Sequence, residues 1–231
     1  MHNKLFPVCV VDDFYHNPHD VREFALSQKF YPNDDGRWPG ARTKPIDAIN
    51  ENLFNHFCEK IFGLFYSSEG EIGDYVVQTY FQKIKPFHPE KTHKSNRGFI
   101  HQDGVLFGGV VYLDLYPEEG TGTSIYTPKT KWWYADSLSL NVNNIKHRKY
   151  KDGILTDEDV SNWDQHRDTF YESIRVENRF NRCILFDGNE HHGVPSFGTQ
   201  ERLTQVFFVE RIIFGHDARN PKYPLVNSSY G

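Results

Sequence analysis

Residues 99–115 read FIHQDGVLFGGVVYLDL, and the fold prediction starts from this stretch. Two β-rich runs, Phe99–His101 and Phe107–Leu115, flank a short polar segment, and runs of this kind predict strands. Similar runs lie on both sides, separated by turn-forming segments such as Pro117–Gly122 and Asp187-Gly188. They are Tyr75–Ile84, Thr123–Tyr126, Arg182–Phe186 and Leu203–Ile213. From Tyr75 onward the chain is therefore predicted to be mainly β.

Residues 1–74 are predicted to form a helical lead-in after a short strand at Phe6–Val11. Asn17-Pro18 supplies a helix start, and apolar residues follow it at helical spacing. A second helix is predicted from Ile46 to Leu64, where apolar residues recur at steps of three and four. Both helices are expected to pack on the sheet, because apolar residues at this period share one helix face.

A polar and charged interruption, residues 128–181, separates the barrel strands predicted at 75–127 from those at 182–214. Its one predicted helix starts at a capping-box-like pair, Thr156 and Asp159. The apolar stripe of that helix is predicted to be Val160, Trp163, Phe170 and Ile174. We expect this insertion to form part of a substrate mouth. An equally weighted alternative is that the aromatic residues Trp132, Trp133 and Tyr134 pack the insertion against the barrel.

This order of elements predicts a single domain over residues 1–231, mainly β with flanking helices. The predicted core is a double-stranded β-helix, the jelly-roll or cupin-like barrel. Basic residues number 26 and acidic residues 31, so the net charge of −5 argues against nucleic-acid binding by bulk charge. Three widely spaced cysteines and no apolar run near the ~20 residues of a membrane span predict a reduced, cytoplasmic protein.

The candidate chemistry lies in His101-Gln102-Asp103. Two imidazoles and one carboxylate on one side of a metal make the facial site of non-haem Fe(II) proteins, and residues two apart on a strand share a side. A second His-x-Asp, His166-Arg167-Asp168, falls in the predicted helix, where residues two apart diverge by roughly 200°. We interpret that second pair as solvated surface. A third imidazole is available at either His191 or His192, but adjacent strand residues cannot both face one metal.

An ordered set of motifs accompanies this pair. It runs from His101-x-Asp103 through Gly120-Thr121-Gly122-Thr123, Asn181-Arg182-Cys183-Ile184-Leu185-Phe186 and His192 to Arg202-x-Thr204. The set resembles the Fe(II)/2-oxoglutarate-dependent oxygenases, and within them the prolyl-4-hydroxylase-like branch. The lead-in also resembles the N-terminus of a small uncharacterised, partly phage-encoded group of this superfamily. The segments concerned are Val11-Asp12-Asp13-Phe14, Arg22-Glu23-Phe24-Ala25 and Trp38-Pro39-Gly40-Ala41-Arg42.

The resemblance implies which residues hold the metal and the co-substrate. The family spacing places the distal ligand at His192 and leaves His191 a supporting role, so His101, Asp103 and His192 would hold Fe(II). Arg202 and Thr204 would hold the far carboxylate of 2-oxoglutarate. A strand tyrosine commonly helps to hold that carboxylate in this family, and either Tyr80 or Tyr112 fits the role.

The activity that the resemblance implies is that of a dioxygenase, an oxidoreductase that uses Fe(II), 2-oxoglutarate and O2 and releases succinate and CO2. Because Asp103 is an intact carboxylate, hydroxylation is expected rather than halogenation. The primary substrate stays open: a peptidyl side chain is preferred over a small metabolite or a nucleotide. Two other classes also stay open, a catalytically silent binding module and a cupin-like metalloprotein that does not use 2-oxoglutarate.

Two further segments carry residues that suggest chemistry. His88 and His93 lie in the loop 85–98, where a zinc site lacks nearby cysteines, so we expect a lid over the iron site or, more simply, a solvated loop. The basic run Lys146–Lys151 is predicted to be a solvated face, because acidic residues follow it closely.

Overall fold

The computed structural model of the chain describes residues 6–66, 72–130 and 136–214. Within these ranges lie ten strands and five α-helices. The strands are β1 (Cys9–Val11), β2 (Tyr31–Pro32), β3 (Ala41–Arg42), β4 (Ile72–Ile84), β5 (Phe107–Tyr112), β6 (Thr123–Pro128), β7 (Phe170–Val176), β8 (Cys183–Asp187), β9 (His191–Gly193) and β10 (Arg202–Phe214). The helices are α1 (Pro18–Ser27), α2 (Ile46–Ile49), α3 (Glu51–Gly63), α4 (Asp136–Asp152) and α5 (Asp157–Asp168), with a short 3-10 helix at Lys94–Asn96.

The strands form two antiparallel sheets. The larger has the order β1-β8-β5-β10-β4-β3-β2, and the smaller has the order β7-β6-β9. The two sheets face each other across a shared cluster in which Tyr112 and Ile184 of the larger sheet pack with Ile125 and Val176 of the smaller. The prediction of a mainly β fold with a double-stranded β-helix core and flanking helices is confirmed.

Strand β10 lies between β5 and β4 in the larger sheet. One of its faces contacts the helices, and the other faces the smaller sheet. Its residues Leu203 and Phe207 belong to the cluster that also contains Ala25 of α1 and Phe57 of α3. The rings of Phe57 and Phe207 lie 5.0 Å apart. Since side chains alternate along a strand, the opposite face of β10 is turned toward the smaller sheet. The helices therefore close one side of the larger sheet and leave the other side for the site.

The predicted second helix, residues 46–64, is divided in the structure. α2 ends at Ile49, and the extended Asn50 caps α3 by accepting a hydrogen bond from Leu53 N at 3.0 Å. Asparagine favours this cap position because its side-chain oxygen satisfies a backbone N–H that has no partner within the helix. The apolar period continues across the cap, which explains why it predicted one helix.

The segment 128–181 contains two helices and a strand rather than the one predicted helix. The predicted start is present, since Thr156 and Asp159 form a reciprocal capping box at the beginning of α5. The predicted stripe is wrong beyond Asp168, where the helix ends, and Phe170 and Ile174 belong to β7. These two residues lie four apart, which imitates helical spacing, but the segment is paired with β6. Trp132, Trp133 and Tyr134 lie outside the described residues.

No helix in the described part of the chain is long and apolar enough to cross a lipid bilayer.

Candidate metal centre

The side chains of His101, Asp103 and His192 converge on one point. The ligand atoms that they offer all lie within 4.8 Å of one another. His101 Nε2 is 3.3 Å from Asp103 Oδ1, and His192 Nε2 is 3.4 Å from Asp103 Oδ2. Two imidazole nitrogens and one carboxylate, with a free side toward the cavity, are the donor set that suits non-haem Fe(II). The structure thus brings together the three residues predicted to hold iron.

The local backbone explains this convergence. His101 lies outside the named strands but forms an isolated antiparallel bridge with His192 of β9. The amides of Asp103 and Gly104 both donate to the carbonyl of Gly188, at 3.0 and 3.2 Å. A Cβ at residue 188 would lie 2.0 Å from the Val105 carbonyl oxygen, so this turn requires glycine. The turn after β8 therefore holds the carboxylate, and the bridge holds both imidazoles.

Both imidazoles are oriented by main-chain carbonyls. His101 Nδ1 lies 3.1 Å from Phe99 O, and His192 Nδ1 lies 3.0 Å from Glu190 O. A carbonyl only accepts, so each Nδ1 carries a proton, and each Nε2 is the ring nitrogen directed at Asp103. Metal-binding histidines are typically oriented by such a partner on the second nitrogen.

The protonation states also suit a metal. Burial lowers the pKa of His192 to about 4, an effect that the nearby carboxylate of Asp103 only partly offsets, so the imidazole is neutral near pH 7. Burial alone would raise the pKa of Asp103, but His192 and His101 more than offset it, and the net pKa is lowered. The site therefore presents a neutral His192 imidazole and an ionised Asp103 carboxylate, the forms in which these groups bind metals.

The other histidines of the sequence prediction occupy different surroundings. The ring of His191 points away from the triad and lies 5.1 Å from the ring of Phe170. His166 is only 2% exposed and stacks on Phe99 with a centroid distance of 4.9 Å, so the prediction of solvated surface is wrong for it. The reason is that His166 follows Trp163 by one helical turn on the inner face of α5, whereas Asp168 is exposed.

A cavity of about 340 Å³ adjoins the triad, and Arg202 lies in its wall. Arg202 is 5% exposed, and its Nε and Nη1 atoms are buried without a hydrogen-bond partner among the described residues. Burial lowers the pKa of Arg202. Buried polar groups of native proteins are nearly always hydrogen-bonded, so these nitrogens point to a ligand. Thr204, two residues along β10, lines the same cavity.

The two candidate tyrosines lie in different places. Tyr112 is opposite Thr204 in the strand register and donates its hydroxyl proton to Thr123 Oγ1 at 2.8 Å. Burial raises the pKa of Tyr112 to about 12, so the hydroxyl stays protonated. Tyr80 instead donates to Gln78 Oε1 at 2.9 Å in an exposed hydrogen bond, and it is not among the residues that line the cavity. Thr123, which lines the cavity, is the residue through which Tyr112 reaches it.

The basic run Lys146–Lys151 is only in part the solvated face that its charges predict, since Arg148 and Lys151 are exposed but Lys149 and Tyr150 are buried. Lys149 is fully buried, with Nζ 2.6 Å from Arg97 O and 4.1 Å from the ring centroid of Trp163. It follows the buried Val142 and Ile145 along one face of α4, so its position in the helix overrides its charge. Lys146 of the same run lines the cavity.

The loop 85–98 is organised around one buried residue, Asn96. Its Oδ1 accepts from the amides of Phe87 and His88, and its Nδ2 donates to the carbonyls of His88 and Glu90, at 2.8 to 3.0 Å. The rings of His88 and His93 stack at 3.7 Å. They are not part of the one cluster of potential metal ligands found among the described residues.

Comparison with solved structures finds the same fold in proteins that were crystallised with 2-oxoglutarate. HygX from Streptomyces hygroscopicus, with nickel, 2-oxoglutarate and hygromycin B bound, is 11% identical, with a TM-score of 0.51 over 88% of this chain and 82% of that one. EvdO2 from Micromonospora carbonacea var. aurantiaca, complexed with 2-oxoglutarate, is 11% identical, with a TM-score of 0.50 over 91% and 89%. A prolyl-4-hydroxylase from Pseudomonas putida is 13% identical, and the match covers 88% of this chain and 92% of that one. Its TM-score of 0.45 is too low to support the prolyl-4-hydroxylase-like branch.

Residues 1–204 match the family described as "Family of unknown function (DUF6445)", and the chain belongs to that family. No curated protein matches the sequence. The fold that the resemblance implies is confirmed. Roles for the individual site residues rest on the contacts and distances in this chain, not on the fold match.

Proposed function

We propose that this protein is an Fe(II)- and 2-oxoglutarate-dependent dioxygenase that hydroxylates its substrate. In the overall reaction, one oxygen atom of O2 enters a substrate C–H bond and the other enters succinate, as 2-oxoglutarate loses CO2. The observation that carries the proposal is one cavity whose wall contains both a His-Asp-His cluster and a buried arginine with unpaired nitrogens.

The three residues of the cluster would hold the metal through His101 Nε2, the Asp103 carboxylate and His192 Nε2. When bound, Fe(II) supplies the one-electron and oxygen chemistry that no side chain can perform. The protein contributes the ligand orientation described above and a cavity that would position the substrate beside the metal. Asp103 occupies the third protein position, which supports hydroxylation rather than halogenation.

Arg202 supports 2-oxoglutarate as the co-substrate, because a buried guanidinium fork matches a carboxylate with two parallel hydrogen bonds. We assign Thr204 and Thr123 as hydroxyl partners of the same carboxylate, since both line the cavity. Of the two tyrosines we assign Tyr112, which orients Thr123 by donating to its oxygen and leaves the Thr123 proton available for the ligand. A cupin-like protein that binds only metal would have no use for these buried donors.

The test is an anaerobic titration of the Fe(II)-loaded protein with 2-oxoglutarate, followed by the metal-to-ligand absorption band, and then succinate measurement after air is admitted. We expect one Fe(II) per chain, saturable 2-oxoglutarate binding and slow succinate release even without a primary substrate. Iron binding without any effect of 2-oxoglutarate would support the cupin-like class. Absence of iron binding would support the silent module and contradict the proposal.

A further inference from the structure

A second arginine, Arg42, lines the same cavity from β3, near the edge of the larger sheet. It lies on β3, where it pairs with Gln82 of β4. The chain reaches this position through Gly40, which has a φ of 74° and approaches β4 so closely that a Cβ would lie 2.0 Å from Lys83 O. Arg42 and Gly40 belong to the segment Trp38-Pro39-Gly40-Ala41-Arg42. Trp38, Pro39 and Arg42 of this segment line the cavity.

The Arg42 guanidinium is held by aromatic rings rather than by acidic groups. Its central carbon lies 4.5 Å from the ring centroid of Trp38, 5.4 Å from that of Phe208 and 5.5 Å from that of Tyr80. Ring faces attract the charge but do not satisfy the in-plane N–H donors. The Arg42 Nε is buried without a hydrogen-bond partner, and no ion pair to Arg42 occurs in the described residues. Burial lowers the pKa of Arg42 to about 10, so it remains a cation at neutral pH.

A third cation, Lys146, reaches the cavity from α4. Its Nζ lies 5.3 Å from the ring centroid of Phe99, and it forms no ion pair with any described residue. The helix is seated against the loop before β3, where the ring Nδ1 of His147 lies 2.8 Å from Asp35 O. Gly36 fits beneath the same turn, since a Cβ there would lie 2.1 Å from His147 O. This contact joins the walls that carry Arg42 and Lys146.

The charges around the cavity do not balance. Asp103 is the one carboxylate among its described lining residues, against Arg42, Lys146, Arg202 and Arg37. Arg37 is exposed and paired with Asp35 at 2.8 Å. In the loaded site of the proposed function, Asp103 and dianionic 2-oxoglutarate would cancel the divalent metal and Arg202. Arg42 and Lys146 would then remain as two positive charges without a counter-ion.

The electrostatic partners of these two cations differ from those of Arg202. Each interacts electrostatically with Asp103, whereas Arg202 interacts with Tyr112 and Asp114. An anion between Arg42 and Lys146 would therefore lie beside the metal ligands and away from the 2-oxoglutarate carboxylate held by Arg202. The cavity volume of about 340 Å³ is at the small end of the usual range for ligand sites, roughly 300 to 1,000 Å³.

We propose that the primary substrate is a small organic anion whose carboxylate or phosphate group is bound by Arg42 and Lys146. This inference rests on the proposed function and gives it a substrate class that differs from the peptidyl side chain preferred on sequence grounds. It also gives the segment 128–181 a role at the substrate mouth, through Lys146 of α4.

The experiment uses the protein loaded with Ni(II), which does not turn over, and saturated with 2-oxoglutarate. Inorganic phosphate and, separately, acetate are titrated by calorimetry, so that the two anion chemistries are distinguished. We expect Arg42→Gln to weaken binding of the preferred anion about tenfold or more, because it removes a charged fork from a buried site. Arg42→Lys should recover part of that loss, since a point charge keeps the attraction but not the bidentate geometry. Lys146→Gln should weaken binding by a smaller factor.

The control is Arg148→Gln, which removes a positive charge two residues from Lys146 but outside the cavity, where Arg148 pairs with Asp159. Binding of the anion to this variant should stay within about twofold of wild type, because Arg148 does not line the cavity. In both Arg42 variants, 2-oxoglutarate affinity is measured separately and should change little. Equal anion binding by wild type, Arg42→Gln and Lys146→Gln would overturn the inference. So would loss of 2-oxoglutarate binding in Arg42→Gln, which would assign Arg42 to the co-substrate.

A failure of the proposed function gives a different result. If the protein binds no metal, the same anions are titrated into metal-free Arg202→Ala with and without Arg42→Gln, so that Arg202 does not contribute. Anion binding that depends on Arg42 would keep the anion site and reject the oxygenase. Anion binding that does not depend on Arg42 would reject both.

Discussion

His101 and His192 exchange both of their main-chain hydrogen bonds. The amide of His101 donates to the His192 carbonyl at 3.0 Å, and the amide of His192 donates to the His101 carbonyl at 2.9 Å. One antiparallel residue pair thus fixes the separation of two candidate metal ligands, whose ring centroids lie 4.4 Å apart. The imidazoles are therefore positioned before any metal arrives, which lowers the ordering cost of binding.

The first prediction concerns metal affinity. Asp103→Ala and His101→Ala should each weaken Fe(II) or Ni(II) binding by more than about a hundredfold, because loss of a supporting residue alone typically costs 10- to 100-fold. Calorimetry under anaerobic conditions measures this directly. His191→Ala is the matched control, since its ring lies against Phe170 and should leave the affinity nearly unchanged. Full metal occupancy in both triad variants would exclude the assigned site.

The second prediction concerns the co-substrate anchor. Arg202→Ala should weaken 2-oxoglutarate binding by about 2 to 5 kcal/mol, roughly 30-fold to several thousand-fold, with metal binding intact. Arg202→Lys should recover only part of the loss, because lysine cannot form the two parallel hydrogen bonds. Arg211→Ala, an exposed arginine of the same strand, is the control. If Arg202→Ala folds, binds metal and keeps its 2-oxoglutarate affinity, Arg202 is not the anchor.

The third prediction concerns Asn96, whose side chain makes four hydrogen bonds to the loop backbone. Asn96→Ala should lower the free energy of unfolding by about 2 to 4 kcal/mol, since buried amides and carbonyls would lose their partners. Urea unfolding measures the change, and limited proteolysis should show earlier cleavage within residues 85–98. Asn96→Asp keeps an acceptor for the two amides and should fall between wild type and alanine. Unchanged stability in Asn96→Ala would show that the loop is held by other contacts.

The fourth prediction concerns acid stability. Burial lowers the pKa of His166 from its ordinary 6.5 to about 4, so between these values the unfolded chain binds the extra proton and the folded chain does not. The stability from a neutral His166 is complete above pH 6.5 and is lost as the pH falls toward 4, by about 3 kcal/mol at most.

The test compares unfolding free energies of metal-free wild type and His166→Phe from pH 7 to pH 4. The phenylalanine keeps a ring against Phe99 but cannot titrate, so the acid loss should be smaller by roughly that amount. The remaining loss should include His192, whose pKa is lowered in the same direction. His16→Gln, at an exposed position, should behave like wild type. Parallel pH profiles for wild type and His166→Phe would refute this account.

The sequence predicted the long strands well, because each carries enough alternating or apolar residues to set a period. β4 and β10 have thirteen residues each and pair along almost their whole length. β2, β3 and β9 have two or three residues, too few for a period, and their positions depend on partners far along the chain. β7 was missed because its apolar residues imitate helical spacing.

The residues of the site likewise fall into those that the sequence predicts and those that it does not. Spacing and resemblance selected His101, Asp103, His192 and Arg202, which the fold brings to one cavity. The same reasoning does not select Arg42, because no local pattern shows that β3 pairs with β4. The segment that contains Arg42 enters the sequence analysis only as part of the resemblance. Lys146 belongs to a charged run that predicts a solvated face, and only the orientation of α4 shows that this residue faces the cavity. Nonlocal pairing and helix orientation, rather than residue type, decide both positions.

Strand β10 lies between β5 and β4, yet it is the last of the described strands to leave the ribosome. Until it is synthesised, β4 with its neighbours and β5 with its neighbours have no common partner, and both expose edges that β10 later covers. The strand that joins these halves also carries Arg202 and Thr204. During synthesis, sheet closure and completion of the co-substrate end of the cavity are therefore the same event, and a nascent chain offers no premature site to 2-oxoglutarate.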